Sequence, residues 1–307
     1  MADTRQRRSP RGLLVFCVLS VLLITGCGQQ RTGEESAKPK VVASFTVLAD
    51  IAQSIAGDYL EVESLTKPGA EIHEYEPTPL DVKRVQGADL VLRNGLGLDT
   101  WFDRFMLDSA RQQVVVSEGV QPIAVSQESG SASPNPHAWM SPSAATVYVN
   151  NIVQAFVDLD PVHAHFYRQQ ARDYRKALDK IHRDLVEQLQ NLPEQQKVLV
   201  TCEGAFSYLA RDIGFQEEFL WPVNSDGQVS ARRIAEVSDR VKQRDIPAVF
   251  CESTVSAASM KQVAAESSAT FAATLFVDSL SKPDGPVPSY LDLLRYDAQA
   301  LVQGLAG

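Results

Sequence analysis

From residue 41 onward, short apolar runs and amphipathic segments take turns along the chain. "VVASFTV" is a continuous apolar run of strand type, and "LADIAQSIAG" after it reads as a helix closed by Gly57. "LEVESLT", "DLVLRNG" and "QVVVSEG" supply three further strands. Between them one helix begins at Pro79, where the fixed φ of proline suits a first helical turn, and another begins with Asp99 as its N-cap. Strands that alternate with helices predict βαβ units and a mostly parallel sheet.

Residues 117–136 end in "QESGSASPNP" and, being rich in Ser, Gly and Pro, read as a loop. A helix over about 143–158 follows, then a longer one from Asp160-Pro161 to about Leu192. Its apolar positions are Val162, Phe166, Tyr174, Leu178, Ile181, Leu185, Leu189 and Leu192, spaced by threes and fours except for one step of eight. About 30 residues at about 1.5 Å each make a rod of roughly 45 Å, long enough to bridge two lobes. Beyond it the alternation resumes, with strands "KVLVTC", "EEFLWPV", "AVFCES" and "TLFVDSL" separated by helices and a last helix from about Ser289. The expected fold is α/β: two lobes, 41–159 and 193–307, each with a mostly parallel sheet flanked by helices, joined by one long helix over 160–192.

The N-terminus bears on location. Arg5, Arg7, Arg8 and Arg11 precede the apolar run "GLLVFCVLSVLLITG", which is too short for a comfortable membrane span and has the layout of a secretory leader over 1–26. "LITGC" resembles the lipobox of bacterial lipoproteins, in which the cysteine is acylated and becomes the new N-terminus; that cysteine is Cys27. A lone anchor helix is the competing reading. Residues 27–40 are polar and rich in helix breakers, as a flexible tether is. Loss of the leader, with its four Arg and one Asp, takes the net charge from −9 to −12. So acidic a chain is not a nucleic-acid binder.

Of four cysteines, Cys17 lies in the leader and Cys27 at the lipid site. Cys202 and Cys251 remain, and outside the cytoplasm two leftover cysteines most often pair. A thiolate metal pair is the alternative, disfavoured because the two lie far apart without Cys-x-x-Cys spacing.

Four side chains share one context, just beyond a strand's carboxyl end or in a strand–helix loop: His73 in "AEIHEYEP", His137 in "NPHAWMSP", Glu203 in "LVTCEGAF" and Asp278 in "LFVDSL". That edge is where open α/β sheets bind ligands. Each alone reads as a cap or an ion-pair partner. Together they offer two imidazoles and two carboxylates, two from each expected lobe, a set that neutralises a hard or borderline divalent cation and disfavours soft ones. His163, His165 and His182 fall on the long helix and read as solvent-facing. The zinc-protease motif H-E-x-x-H is excluded, because in "HEYEP" Pro77 stands where the second histidine belongs. No Walker A, G-x-S-x-G or complete G-x-G-x-x-G motif occurs.

These motifs, in this order, are similar to those of the metal-binding lipoproteins of bacterial ABC importers for manganese, zinc or iron. "GAEIHEYEP", "NPHAWMSP", "VTCEGAFSYLARDIG" and "TLFVDSLS" resemble that family's four ligand loops, and the likeness runs from about Val41 to the end. The resemblance implies a rigid backbone helix, little closure between lobes, ligation by His73, His137, Glu203 and Asp278, and no enzymatic activity. It implies Mn2+ as transported cargo, with Fe2+ or Zn2+ as alternatives. Zinc members typically carry a third histidine and a His-rich loop before the second ligand, whereas here Glu203 stands at the third position and 117–136 lacks histidine. "WPVNSDGQVS" also resembles manganese-type members. The cyanobacterial manganese-binding ones have a cysteine pair placed like Cys202 and Cys251, in keeping with a disulfide. The expected partner is an ABC permease; the chain is expected to be a monomer, lipid-anchored on the outer face of the plasma membrane. Two positions depart from the pattern: Asn135 and Ser141 stand where the family commonly has Asp, which opens the question of what holds His137. A secreted metallohydrolase is the reading from another class, and it would need an open metal position.

Overall fold

A computed structural model of the chain describes residues 1–2, 37–102, 112–126, 132–223 and 229–307; the unit described below is Lys38–Gly307. The leader, Cys27, most of the helix expected after Asp99, and the "NSDGQ" part of "WPVNSDGQVS" lie outside the described residues.

The N-terminal lobe is built on four parallel strands: β1 (Lys40–Ala43), β2 (Glu61–Ser64), β3 (Leu90–Arg93) and β4 (Gln113–Val115), in the order β2-β1-β3-β4. β1 is central, with Val41 beside Val62 on one side and Val42 beside Val91 on the other. Between them run α1 (Thr46–Ala56) and α2 (Pro79–Gln86). α1 begins two residues earlier than the polar pattern shows, so "VVASFTV" is strand only to Ala43 and supplies the first helical turn with Thr46 and Val47. Gly57 ends α1 at φ 55°, and a Cβ there would meet the Phe166 ring at 2.7 Å, so the position admits glycine on two counts. α2 starts as expected at Pro79, behind a capping box in which Thr78 and Asp81 satisfy each other's backbone N–H.

The 117–136 segment is not all loop. It contains an antiparallel hairpin, β5 (Ala124–Ser126) against β6 (Ala132–Pro134), with Val125 opposite Ser133. Serine and proline content hid two strands of three residues, too short for an alternation to show.

α3 (Pro142–Leu159) leads through a 3-10 turn at Pro161–His163 into α4 (Ala164–Leu189), whose 26 residues span about 39 Å at about 1.5 Å each. α4 packs against α1 and α3 on the N-terminal side and against the last helix, α8 (Tyr290–Ala306), on the other. Its buried line is Tyr167, Ala171, Tyr174, Leu178, Ile181, Leu185 and Leu189. Val162, expected in that line, lies outside the α-helix and is 83% exposed. Tyr167 and Ala171 fill the step of eight: the hydroxyl of Tyr167 finds Asp160 at 2.5 Å, which lets a tyrosine be fully buried.

The C-terminal lobe holds two parallel pairs, β7 (Val198–Glu203) with β8 (Gln216–Trp221) and β9 (Ala248–Glu252) with β10 (Thr270–Leu275). α5 (Ser207–Ile213), α6 (Ala231–Arg244) and α7 (Ala258–Ser267) connect them. β7 and β9 lie side by side, joined by a disulfide between Cys202 and Cys251 with Cα atoms 4.8 Å apart. The bond closes the thiolate alternative, since neither sulfur is free to bind a metal.

Candidate metal centre

Each of the four candidate ligands is delivered by a local device. After β2, the chain turns at Gly69 (φ 82°), and the Glu71 carboxylate accepts from His73 N at 2.6 Å and Glu74 N at 2.9 Å. This caps the turn that aims His73, and Pro79 follows as the first residue of α2. Glu74 and Glu76 are exposed. His137 precedes a 3-10 turn, Ala138–Met140, whose Trp139 is fully buried with its Nε1 donating to Val277 O at 3.0 Å. Glu203 is the last residue of β7, and Asp278 lies three residues past β10.

The four converge. His73 Nε2 and His137 Nε2 are 3.0 Å apart; Asp278 Oδ1 is 3.7 Å from the former and 3.6 Å from the latter; Glu203 Oε1 is 3.9 and 3.7 Å from them. His137, Glu203 and Asp278 are fully buried, and the side chain of His73 is 9% exposed, so the cluster opens outward past His73. Beside that opening runs a cleft of about 580 Å³ lined by His73, Tyr75, Pro77 and Trp101.

The charge arrangement suits a cation. Burial alone pulls the His73 imidazole down and the Asp278 carboxyl up. In both cases burial is outweighed: Asp278, with Glu203 and Glu71 adding to it, raises His73, and the two imidazoles of His137 and His73 hold Asp278 below the usual carboxylate range. Burial and the neighbouring His73 push His137 down to about 4, so at neutral pH it is an uncharged donor with a free Nε2 lone pair. Asp278 Oδ2 accepts from Thr254 Oγ1 at 3.1 Å, while Oδ1 has no donor within hydrogen-bonding distance and faces the two imidazoles. A buried carboxylate oxygen left without a hydrogen bond is costly unless a cation takes that place. Two imidazole nitrogens and up to four carboxylate oxygens suit a divalent ion of the Mn–Fe–Zn group.

The sites of departure are now explained. Asn135 Oδ1 accepts from both His137 N (3.0 Å) and His137 Nδ1 (2.8 Å), so a side-chain amide holds the His137 ring. Ser141 Oγ donates to Asp212 at 2.5 Å and accepts from Ala144 N as the N-cap of α3.

Supporting residues that spacing alone did not show are Glu71, Thr254 and Glu252, the last accepting from Glu203 N at 3.2 Å. Only the two-residue interval between Glu71 and His73 carries a local signal, that of a side chain capping its own turn. His163, expected in solvent, is partly buried and stacks on Tyr59 with centroids 3.9 Å apart. His182 is also partly buried; His165 alone of the three is exposed.

The two lobes are fastened around this centre. Asn135 reaches Gly204 and Ser207, Ser279 Oγ accepts from Gly69 N at 2.7 Å, Thr46 Oγ1 accepts from Leu280 N at 3.1 Å, and Asp50 accepts from Tyr290 N at 2.9 Å. Hydrogen bonds beside each ligand, together with α4, hold the halves in register.

The family described as zinc-uptake complex component A, periplasmic (ZnuA), matches residues 41–304. The iron-binding protein YfeA of Yersinia pestis is 43% identical over 295 residues, covering 95% of this chain and 94% of its own. The manganese ABC transporter substrate-binding lipoprotein PsaA of Streptococcus anginosus is 31% identical over 304 residues, covering 96% and 98%. Among solved structures, a Mn-bound periplasmic metal-binding protein from Candidatus Liberibacter asiaticus superposes with a TM-score of 0.81 at 38% identity, over 87% of this chain and 99% of that one. Members of this group are substrate-binding transport proteins, not enzymes. With two parallel-sheet lobes, a joining helix and sequence similarity along nearly the whole chain, the protein belongs to the ZnuA family of periplasmic metal-binding components of ABC importers.

Proposed function

We propose that this protein captures Mn2+ with His73, His137, Glu203 and Asp278 and delivers it to the membrane subunits of an ABC permease. The observation that carries the reading is that two buried carboxylates each lie within 3.9 Å of both imidazole nitrogens, which are 3.0 Å apart. Two carboxylates that each bind through both oxygens bring the donor count to six, which Mn2+ accepts and tetrahedral Zn2+ does not need. The lipoprotein and manganese names of the 31% relative point the same way.

Fe2+ is the second reading, favoured by the iron-binding name of the 43% relative and by a donor set that serves either ion. Zn2+ binds such sites more tightly than Mn2+ whatever the cargo, so affinity alone does not assign it. In this reading residues 1–26 are removed, Cys27 is acylated, and residues 27–40 tether the lobes to the outer face of the plasma membrane. The lobes, 41–159 and 193–307 on either side of 160–192, act as a monomer.

Elemental analysis of protein purified from its native envelope tests the cargo, with His73→Ala as the control. Manganese in the wild type and none in the variant is expected. Iron would move the assignment to the second reading, and metal retained by the variant would remove His73 from the site.

A further inference from the structure

Asn135 is fully buried, and its polar atoms are engaged on both sides of the metal centre. Its own N donates to Ile123 O at 2.8 Å, and its carbonyl accepts from Tyr208 Oη at 2.7 Å. On the side chain, Nδ2 donates to Gly204 O at 2.6 Å and Ser207 Oγ at 3.0 Å, while Oδ1 accepts from His137 N and His137 Nδ1.

The chemistry of these partners leaves one assignment. Gly204 O is a carbonyl and only accepts, so the amide group facing it is the NH2. That turns the carbonyl oxygen of the amide towards His137. A carbonyl oxygen also only accepts, so His137 Nδ1 carries the hydrogen and Nε2 presents a bare lone pair to the cluster. The tautomer of a ligand in one lobe is therefore dictated by a backbone carbonyl next to the ligand of the other.

Gly204 is itself closely packed. Its N donates to Trp221 O at 3.0 Å, and a Cβ at this position would lie 2.6 Å from Pro222 O and 3.0 Å from the Phe219 ring. The strap thus runs from a fixed point beside Glu203 to the imidazole of His137. An aspartate at 135 would keep the acceptor for His137 but set a carboxylate oxygen against Gly204 O with no hydrogen between them. Ser207 offers no remedy, because its single hydroxyl hydrogen is given to Glu217.

We infer that Asn135 is a positioning residue whose amide fixes the metal-accepting tautomer of His137 and straps it to the Glu203 loop, and that a carboxylate cannot replace it in this chain. The inference rests on the ligand set proposed above. The test is Mn2+ affinity by calorimetry at pH 7.5 together with the 15N chemical shifts of His137 in metal-free protein, for wild type, Asn135→Leu, Asn135→Asp and His137→Ala. The wild type should show hydrogen on Nδ1. Asn135→Leu should lose that preference and weaken Mn2+ binding by about 10- to 100-fold, the usual cost of removing a group that orients a ligating histidine. Asn135→Asp should keep the tautomer yet still bind Mn2+ about tenfold or more weakly, because the strap to Gly204 is gone. Unchanged affinity in Asn135→Leu, or in Asn135→Asp should the leucine variant not fold, overturns the inference, as does an unchanged tautomer in Asn135→Leu. His137→Ala separates the two levels: if it binds Mn2+ like the wild type, the ligand set is wrong; if it fails to bind while both Asn135 variants bind normally, only the role of Asn135 is wrong.

Discussion

His73 Nε2 stands 3.0 Å from His137 Nε2, with a carboxylate oxygen of Asp278 between 3.6 and 3.7 Å from each. A contact of 3.0 Å between two ring nitrogens needs a hydrogen on one of them, and the raised His73 against the lowered His137 favours His73. That hydrogen sits where a cation coordinated by both nitrogens must go, so metal and proton compete for one place.

Metal affinity should therefore rise with pH. Below the raised His73 value each unit of acidification costs about a factor of ten in apparent affinity, one proton being displaced per ion. The competition persists above the ordinary imidazole range because His73 is raised, while His137, lowered to about 4, adds nothing until far more acidic conditions. Calorimetry from pH 5.5 to 8 in buffers of different ionisation heat reads both slope and proton count. A flat profile with no proton release contradicts this picture.

The bridge between Cys202 and Cys251 spans a sequence separation of 49 residues. Closing a loop of about 50 residues restricts the unfolded chain enough to stabilise the fold by roughly 4 kcal/mol on the chain-entropy model. Replacing both cysteines by serine should lower the stability in urea by that order, and reductant should reproduce the effect in wild type but leave the double variant unmoved. Equal denaturation midpoints with and without the bridge would disprove the estimate.

Glu217 is a second group whose environment sets a pH dependence. Burial, only partly offset by hydrogen bonds from Ser207 and from Phe206 N, raises its carboxyl from the ordinary 4.5 to about 7. A carboxyl raised in the folded state favours the fold when protonated. Its contribution is present in full below the unfolded value near 4.5 and is lost as pH rises through about 7, by an amount on the order of 3 kcal/mol. Glu217→Gln should flatten the stability profile between these limits; an unaltered slope in denaturation measured across pH 4.5 to 8 counts against it.

The joining helix gives a sharper contrast. Leu178 is fully buried where α4 faces the core, and Leu178→Ala should cost about 2–5 kcal/mol. Val162 is 83% exposed before the helix begins, and Val162→Ala should stay within about 0.5 kcal/mol. Comparable losses for the two in thermal denaturation would mean that Val162 belongs to the buried line after all.

Much of this protein is written locally. Alternating apolar runs and amphipathic segments are properties of a dozen residues at a time, and they define the parallel strands, the long helix and the order of the elements. The four ligand candidates are legible because each is a side chain able to coordinate, just beyond a strand's carboxyl end or in a strand–helix loop, where open α/β sheets bind ligands. The hairpin β5–β6 escaped because strands of three residues carry no period. Val162 misled because periodicity does not say where an α-helix starts, and Tyr167 hid because a tyrosine joins a core only when its hydroxyl finds a partner, here Asp160.

What tertiary structure decided is distance between residues far apart in the chain. Sequence names His73, His137, Glu203 and Asp278; only the packing of two lobes about α4 brings both carboxylates within 3.9 Å of both imidazole nitrogens. The same holds for the groups that hold the ligands. Thr254 on Asp278 and Glu252 on the Glu203 backbone belong to no motif, and Asn135, although it stands in the motif of His137, reaches Gly204 only in space, because a hydrogen bond is specified by partners in space and leaves no spacing along the chain to read.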